Sequence, residues 1–534
     1  MDGKSDKMQQ AGEITAFLAE IGVDSREIYG LNTIDGVFGP HRKPITRRNK
    51  DMQRVGLILV VAGLLTATVW AQEEYVPVGP EAVGLVPKTS TFDLNAWPGD
   101  GDPRNNGGSE STGIAIGSGG NILIGWEDDG DGWFDYEAVW VVYKQDGTPI
   151  VGSPQSYFTA AGEPVSPEYT WGPKIKANLF GTGFGMGSTA WGLGEVIDEF
   201  FDVNTIGGDP GVNAGDYPAV QLIKEDGTPD GLALCGVSDE YAEREGDIRI
   251  ADWDYLSNGN ILIVGESRQK DDLVNIYGGT TPSEHPIFTI VKKDRSFVKK
   301  ETLVPSAAFE GNMNMWHGAA VTANGFACRW SGPPFGGNLR MFDNDGVATT
   351  SDISIAALTG VEATGQGGRG DDNVGFHGNG VDTYVVANRG SDDVYQNGVF
   401  VTSVSDLGTL RWTAVATDDM PFAQVSGVDC AVNDAGYVLV VWCDAEQLVL
   451  ENTILFGRFF NPDGTPKSGS FYISERATPE NNIGPCVDPR VTWRNDVIAV
   501  DWVDNNNPNM ISKTVAVRIF NAPTGTGIDN FMLY

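Results

Sequence analysis

One phrase recurs along this chain, and it leaves few folds open. An apolar strand ends in tryptophan, a polar loop follows, a second apolar strand comes next, and an Asp-Gly turn closes the unit. The fullest copies run from Asn121 to Pro149 and from Tyr437 to Pro466. The closing turn returns at Asp146-Gly147, Asp226-Gly227, Asp345-Gly346 and Asp463-Gly464, with degenerate forms at Lys293-Asp294-Arg295 and Asp406-Leu407-Gly408. Asp-Gly between apolar runs marks a hairpin, because glycine takes the positive φ of a tight turn. A repeat of roughly sixty residues made only of strands requires small sheets assembled radially or in a stack.

Each unit reads as a four-stranded meander, strands a to d. In the first, Thr112–Ile116 is a, Asn121–Trp126 is b, Ala138–Lys144 is c, and d lies near Ser156–Thr159. The alternation has period two, with β-branched and aromatic residues in the runs and turn residues between them. Seven units follow, at about 111–160, 172–237, 247–305, 316–357, 372–417, 426–475 and 486–520. The seventh ends at its strand c, Thr514–Phe520. Val86–Asn95 (VPKTSTFDLN) matches the strand d of the sixth unit, Thr465–Ser474 (TPKSGSFYIS). The expected fold is therefore all-β: a seven-bladed β-propeller over residues 72–520, its last blade closed by Thr91–Asn95. Closure removes the open sheet edge. Residues 521–534 form a short C-terminal tail.

The N-terminus reads differently. Met52–Ala71 (MQRVGLILVVAGLLTATVWA) has the basic, apolar and small-residue regions of a bacterial secretory signal peptide. Residues 1–51 are expected to be a non-native or disordered leader. Export to the periplasm, the cell surface or the medium follows, with no membrane span in the mature chain. With 72 acidic against 36 basic residues, the net charge of −36 opposes nucleic acid and anionic lipid as partners. Five cysteines, Cys235, Cys328, Cys430, Cys443 and Cys486, are widely spaced and fit no metal pattern. They are expected mostly as small buried apolar residues.

The W…RF…DG units resemble those of secreted bacterial seven-bladed β-propeller repeat proteins. That resemblance implies the fold and carries no assigned reaction. Glu127–Asp135 (EDDGDGWFD) is similar to the calcium loops of integrin-α-type propellers and thrombospondin-like repeats, although it begins with Glu and occurs once. It places Glu127, Asp129, Asp131 and Asp135 at ligand positions, with the Trp133 carbonyl available. A hard cation such as Ca²⁺ takes six to eight oxygens, which alternate acids around a glycine can supply. The alternative is a solvated hairpin tip. Trp126, Trp191, Trp330, Trp442 and Trp502 end their b strands and are expected to pack between blades rather than to stack on sugars.

Two further groups are candidates for ligand binding. The insertion Gly192–Tyr217 is acidic and carries Phe200 and Phe201, and long loops on a propeller build recognition surfaces. His317 and His377 lie at strand a of blades 4 and 5, which lines the central channel, with Arg329 and Arg389 nearby. No nucleophile elbow, zinc-protease motif or sialidase-type Asp box is present. The expected function is a binding or scaffold module for a protein or glycan ligand. The runner-up is a glycoside hydrolase or lyase with its site at the channel mouth, which would need a convergent acid and base.

Overall fold

A computed structural model describes residues 78–94, 112–129, 136–150, 155–156, 173–190, 217–231, 233–238, 247–268, 284–307, 318–331, 337–360, 374–389, 398–420, 425–445, 453–474, 486–504 and 514–523. The expectations for residues 1–71 and for the tail beyond Pro523 lie outside them. No helix among the described residues is long and apolar enough to cross a membrane.

Two short strands, β1 (Val86–Pro87) and β2 (Phe92–Asp93), precede the first blade. Blade 1 is β3 (Thr112–Ile116), β4 (Ile122–Asp129), β5 (Tyr136–Tyr143) and β6 (Gln155–Ser156). Blade 2 is β7 (Lys174–Ala177), β8 (Phe184–Ala190), β9 (Tyr217–Ile223) and β10 (Leu234–Cys235). Blade 3 is β11 (Asp247–Tyr255), β12 (Ile261–Arg268), β13 (Glu284–Val291) and β14 (Phe297–Leu303). Blade 4 is β15 (Gly318–Thr322), β16 (Gly325–Ser331), β17 (Gly337–Asp343) and β18 (Ile353–Ser354), followed by the one-turn helix α1 (Ile355–Thr359). Blade 5 is β19 (Val374–Gly378), β20 (Thr383–Arg389), β21 (Val399–Ser405) and β22 (Leu410–Val415). Blade 6 is β23 (Val425–Val432), β24 (Val438–Ala445), β25 (Thr453–Phe460) and β26 (Phe471–Tyr472). Blade 7 is β27 (Cys486–Arg494), β28 (Val497–Asp504) and β29 (Thr514–Asn521).

Each blade is an antiparallel meander, and its innermost strand touches those of both neighbours, with β27 meeting β3 to complete the ring. The seven-bladed propeller expected from the repeats is the fold observed. Its last blade is finished from the N-terminal side. Val86 and Pro87 pair with Asn521 and Phe520, and Phe92 and Asp93 pair with Val517 and Ala516. Thr89 strengthens the latch, donating its backbone N–H to Ile519 O while its hydroxyl accepts from Ile519 N.

Strand d is the shortest of the four in most blades. In blades 1, 2, 4 and 6 it is a two-residue ladder. After the Asp-Gly turn, one isolated bridge returns the chain to strand c, and in three blades its residue is proline: Pro149, Pro229 and Pro466. Proline has no N–H to offer, so the outermost edge is blunted against further pairing.

The blades are held together by apolar layers between sheets. Trp126, Trp330, Trp442 and Trp502 are all buried, as expected for inter-blade packing; Trp191 lies outside the described residues. The Asp-Gly turn adds a second device. Gly147, Gly227, Gly346, Gly408 and Gly464 all have φ between 74° and 84°. Trp140 of blade 1 donates its indole N–H to Gly227 O of blade 2 at 3.2 Å, and Trp412 of blade 5 donates to Pro462 O of blade 6 at 2.9 Å. A Cβ on Gly464 would stand 2.5 Å from the Trp412 ring. The same glycine thus permits the turn and seats the neighbouring blade's aromatic ring. Cys328 and Cys430 are buried thiols, and burial pushes both well above the ordinary range; Cys443 is buried too.

Candidate functional site

The meander fixes which connections share a face. Every a-to-b and c-to-d turn lies at one end of the sheets, and every b-to-c and d-to-a connection lies at the other. The turns at the first end are tight, as at Thr322–Gly325 and Arg494–Val497. The second end carries the long connections, the longest b-to-c one joining Ala190 to Tyr217.

The seven inner strands surround a cavity of about 100 Å³. Its wall takes charged residues from several blades: Lys176, Asp252, Arg329, His377, Asp429 and Arg490. Toward the tight-turn end the axis is crossed. Leu179, in the a-to-b turn of blade 2, lies 3.4 Å from where a Cβ on Gly380 of blade 5 would sit. Arg494 of blade 7 donates to Ile116 O of blade 1 at 3.3 Å and to Asn178 O of blade 2 at 3.2 Å. Side chains and turns of blades 1, 2, 5 and 7 thus meet across the axis at that end.

The carboxylates on the wall follow one rule. Asp252 of blade 3 accepts the backbone N–H of Ala319 in blade 4 at 2.8 Å. Asp429 of blade 6 accepts that of Val491 in blade 7 at 2.9 Å. Asp488 of blade 7 accepts that of Thr112 in blade 1 at 3.2 Å. Each links one inner strand to the next, satisfying an N–H that the blade's own ladder leaves unpaired. A basic side chain meets each acid: Lys176 Nζ stands 3.0 Å from Asp252, His377 Nε2 3.0 Å from Asp429, and Arg490 Nη2 2.6 Å from Asp488. Asp488 has φ 51°, in the left-handed region, at a bulge where Val487 and Arg490 flank two residues outside the ladder. The distorted backbone turns this carboxylate toward the seam between the last and first blades.

Charge on the wall is set by burial and pairing. Burial opposes the charge on Lys176, but Asp252, Asp254 and Asp429 outweigh it and hold the ammonium above its usual range. Burial likewise opposes Asp429, yet His377, Arg490 and the Val491 N–H keep its carboxyl below the ordinary value. Asp254 is pushed up to about 7, chiefly by burial and further by Asp252, with Lys176 pulling the other way. Asp501, fully buried on β28, is driven well above the carboxylate range by burial, with Arg490 pulling the other way.

The residues expected from sequence fall around this centre. His377 is on β19 and Arg329 on β16, and both line the same cavity. Arg329 is only 2% exposed, and burial brings its guanidinium down to about 10. Arg389 is the last residue of β20, its side chain outside the described residues, as is all of His317. Glu127 and Asp129 lie on β4, paired in register with Ala138 and Tyr136. Their side chains, and Asp131, Trp133 and Asp135 entirely, lie outside the described residues, as does most of the Gly192–Tyr217 insertion. Among the described residues no group of three or more His, Cys, Asp or Glu is arranged to hold a metal ion.

The sequence reading missed the acids Asp252, Asp429 and Asp488 and their partners Lys176 and Arg490. The signal was present: aspartates interrupt the inner strands of blades 3, 6 and 7. It gains meaning only when blades are compared at the same strand.

No protein-family pattern matches the chain, and no curated protein matches it. Solved structures do. The polysaccharide lyase Uly1 is 9% identical, with a TM-score of 0.44 over 82% of this chain and 97% of its own. A protein of unknown function from Dyadobacter fermentans is 11% identical, with a TM-score of 0.40 over 81% and 99%. The intramolecular trans-sialidase from Ruminococcus gnavus is 10% identical, with a TM-score of 0.39 over 80% and 98%. Likeness at that distance carries no argument about what this chain does.

Proposed function

We propose that the chain is an exported propeller that binds a protein or glycan ligand on the face formed by its long connections. One observation carries this reading: the axis is crossed at the tight-turn end by Leu179 and Arg494, which favours the opposite face for recognition. On that face the connections are long and rich in acidic and aromatic residues, as in Gly192–Tyr217. A rigid disc with variable loops on one side suits recognition. The channel wall supports binding over reaction, because Asp252, Asp429 and Asp488 are already occupied by backbone N–H groups and basic side chains. A cavity of about 100 Å³ is also small beside the roughly 300 Å³ or more of ordinary ligand pockets. Export through residues 52–71, and Ca²⁺ bound by Glu127, Asp129, Asp131, Asp135 and the Trp133 carbonyl, belong to the same proposal. The ion would stiffen the β4–β5 hairpin and take no part in chemistry.

The test is a glycan-array and pull-down screen of the chain from Gln72 to Tyr534, repeated after residues 192–216 are replaced by a short Gly-Ser linker. The proposal expects capture that the replacement abolishes while the melting temperature holds. Capture that survives the replacement, or hydrolysis of an arrayed glycan, would contradict it. For the ion, the melting temperature should fall in EDTA and recover with Ca²⁺, since a ligand of the folded state alone raises stability.

A further inference from the structure

On the tight-turn face, away from the ligand face proposed above, blades 6 and 7 part to leave a groove of about 260 Å³. Two partly exposed aromatic rings line it, with the buried Phe459 behind them. Trp493, partly exposed near the end of β27, stands edge-on against the buried Phe459, with centroids 5.6 Å apart and planes at 75°. Its indole N–H donates to Asn495 O at 3.2 Å. The ring is thus held from two sides. Tyr437 is the second ring, and the Lys467 ammonium lies 4.2 Å from its centroid. Asn433, Asn495 and Asp496 supply the polar rim. Asn433 uses its Oδ1 on the N–H groups of Ala435 and Tyr437, which leaves its NH₂ as a donor. Asn495 has φ 53°, so the two-residue turn carrying it and Asp496 bends sharply and leaves both side chains exposed at the groove's edge.

We propose that this groove binds one neutral pyranose residue of a glycan. Its volume falls short of pockets for drug-sized ligands, which begin at about 300 Å³, and suits a single ring. An aromatic ring fixed in place but still partly exposed offers an apolar face for the C–H face of a sugar, at little entropic cost. The rim offers both donors (Lys467, the Asn433 NH₂) and acceptors (Asp496, the Asn495 amide oxygen), as ring hydroxyls require. A cationic ligand is disfavoured, because Lys467 already covers the Tyr437 ring. An anionic one meets Asp496 and a net charge of −36.

The test is calorimetric titration of the chain from Gln72 to Tyr534 with glucose, galactose, mannose and N-acetylglucosamine. At least one should bind with a Kd on the order of 1 mM. Trp493→Ala should weaken it about tenfold or more, Trp493→Phe should retain most of it, and Lys467→Met should weaken it severalfold. Melting curves confirm that each variant is folded. Replacement of residues 192–216 should leave this titration unchanged, which separates it from the ligand face. The proposal fails if no sugar binds up to about 20 mM, a concentration well above that Kd. It fails if folded Trp493→Ala binds as the parent does. It also fails if sugar binds only after residues 524–534 are removed, because the groove is then the seat of the chain's own tail.

Discussion

At Arg295 the chain places an ordinary side chain where most of its sister turns place glycine. Its φ of 71° matches the 74–84° of the Asp-Gly turns, and its N–H makes the same turn bond, to Lys292 O at 2.9 Å. A β-carbon in that region costs about 1–2 kcal/mol, offset in part by the chain entropy that glycine would lose. Arg295→Gly should therefore stabilise the protein by about 0.5–1 kcal/mol, read from urea unfolding. Asp254 gives a second test. Its carboxyl is raised in the fold to about 7 from 3.8, so the folded state holds the proton more tightly than the unfolded chain. Its stabilising contribution is complete at low pH, is lost as pH rises from about 4 to 7, and is flat above that. The stability gap between Asp254→Asn and the parent should widen in favour of the variant across that window, by about 2–4 kcal/mol at most. A gap that is constant or narrows between pH 4 and 7 would contradict this account of Asp254.

Among the elements, the inner strands carry the links between blades. Asp429 joins three of them: it sits on β23, accepts from Val491 on β27 and pairs with His377 on β19. Gly375 on β19 leaves the space this needs, since a Cβ there would lie 2.6 Å from the Asp429 carboxylate. Asp429→Ala strands the Val491 N–H and the imidazole, and should cost about 2–4 kcal/mol in chemical denaturation. Asp429→Asn keeps an acceptor and should cost less. Equal, small losses for both variants would show that the link contributes little. The b strands were legible in the sequence to within one to three residues at either end, because their apolar runs are long and start at Gly and Asn turns. The d strands were less so: in four blades they are edges paired over two residues, and in three of these proline precedes the ladder. The links were not legible, because one aspartate in an apolar run says nothing until the facing strand's register is known.

At the scale of the whole molecule, two properties organise the rest. The ring has two unlike faces, one of tight interlocked turns and one of long connections. Glu225 of blade 2 shows the interlocking, accepting from Ser118 N at 2.9 Å and Gly183 N at 3.2 Å across two blades. The ring is also closed between segments more than four hundred residues apart, where β2 covers the edge of β29, and Phe92 of β2 also packs against Tyr143 of blade 1. The likeness between Val86–Asn95 and the sixth unit's strand d made that closure visible in the sequence, because both must present the same apolar pattern to a strand c. Val86 and Asn521 are direct partners across the latch, Val86 is half exposed, and neighbours in such a pair approach closely enough for a disulfide. The decisive measurement is peptide mass mapping of oxidised protein carrying Val86→Cys and Asn521→Cys. A closed ring predicts a single intramolecular link between positions 86 and 521. Free thiols at both positions, or links only between separate copies, would contradict it.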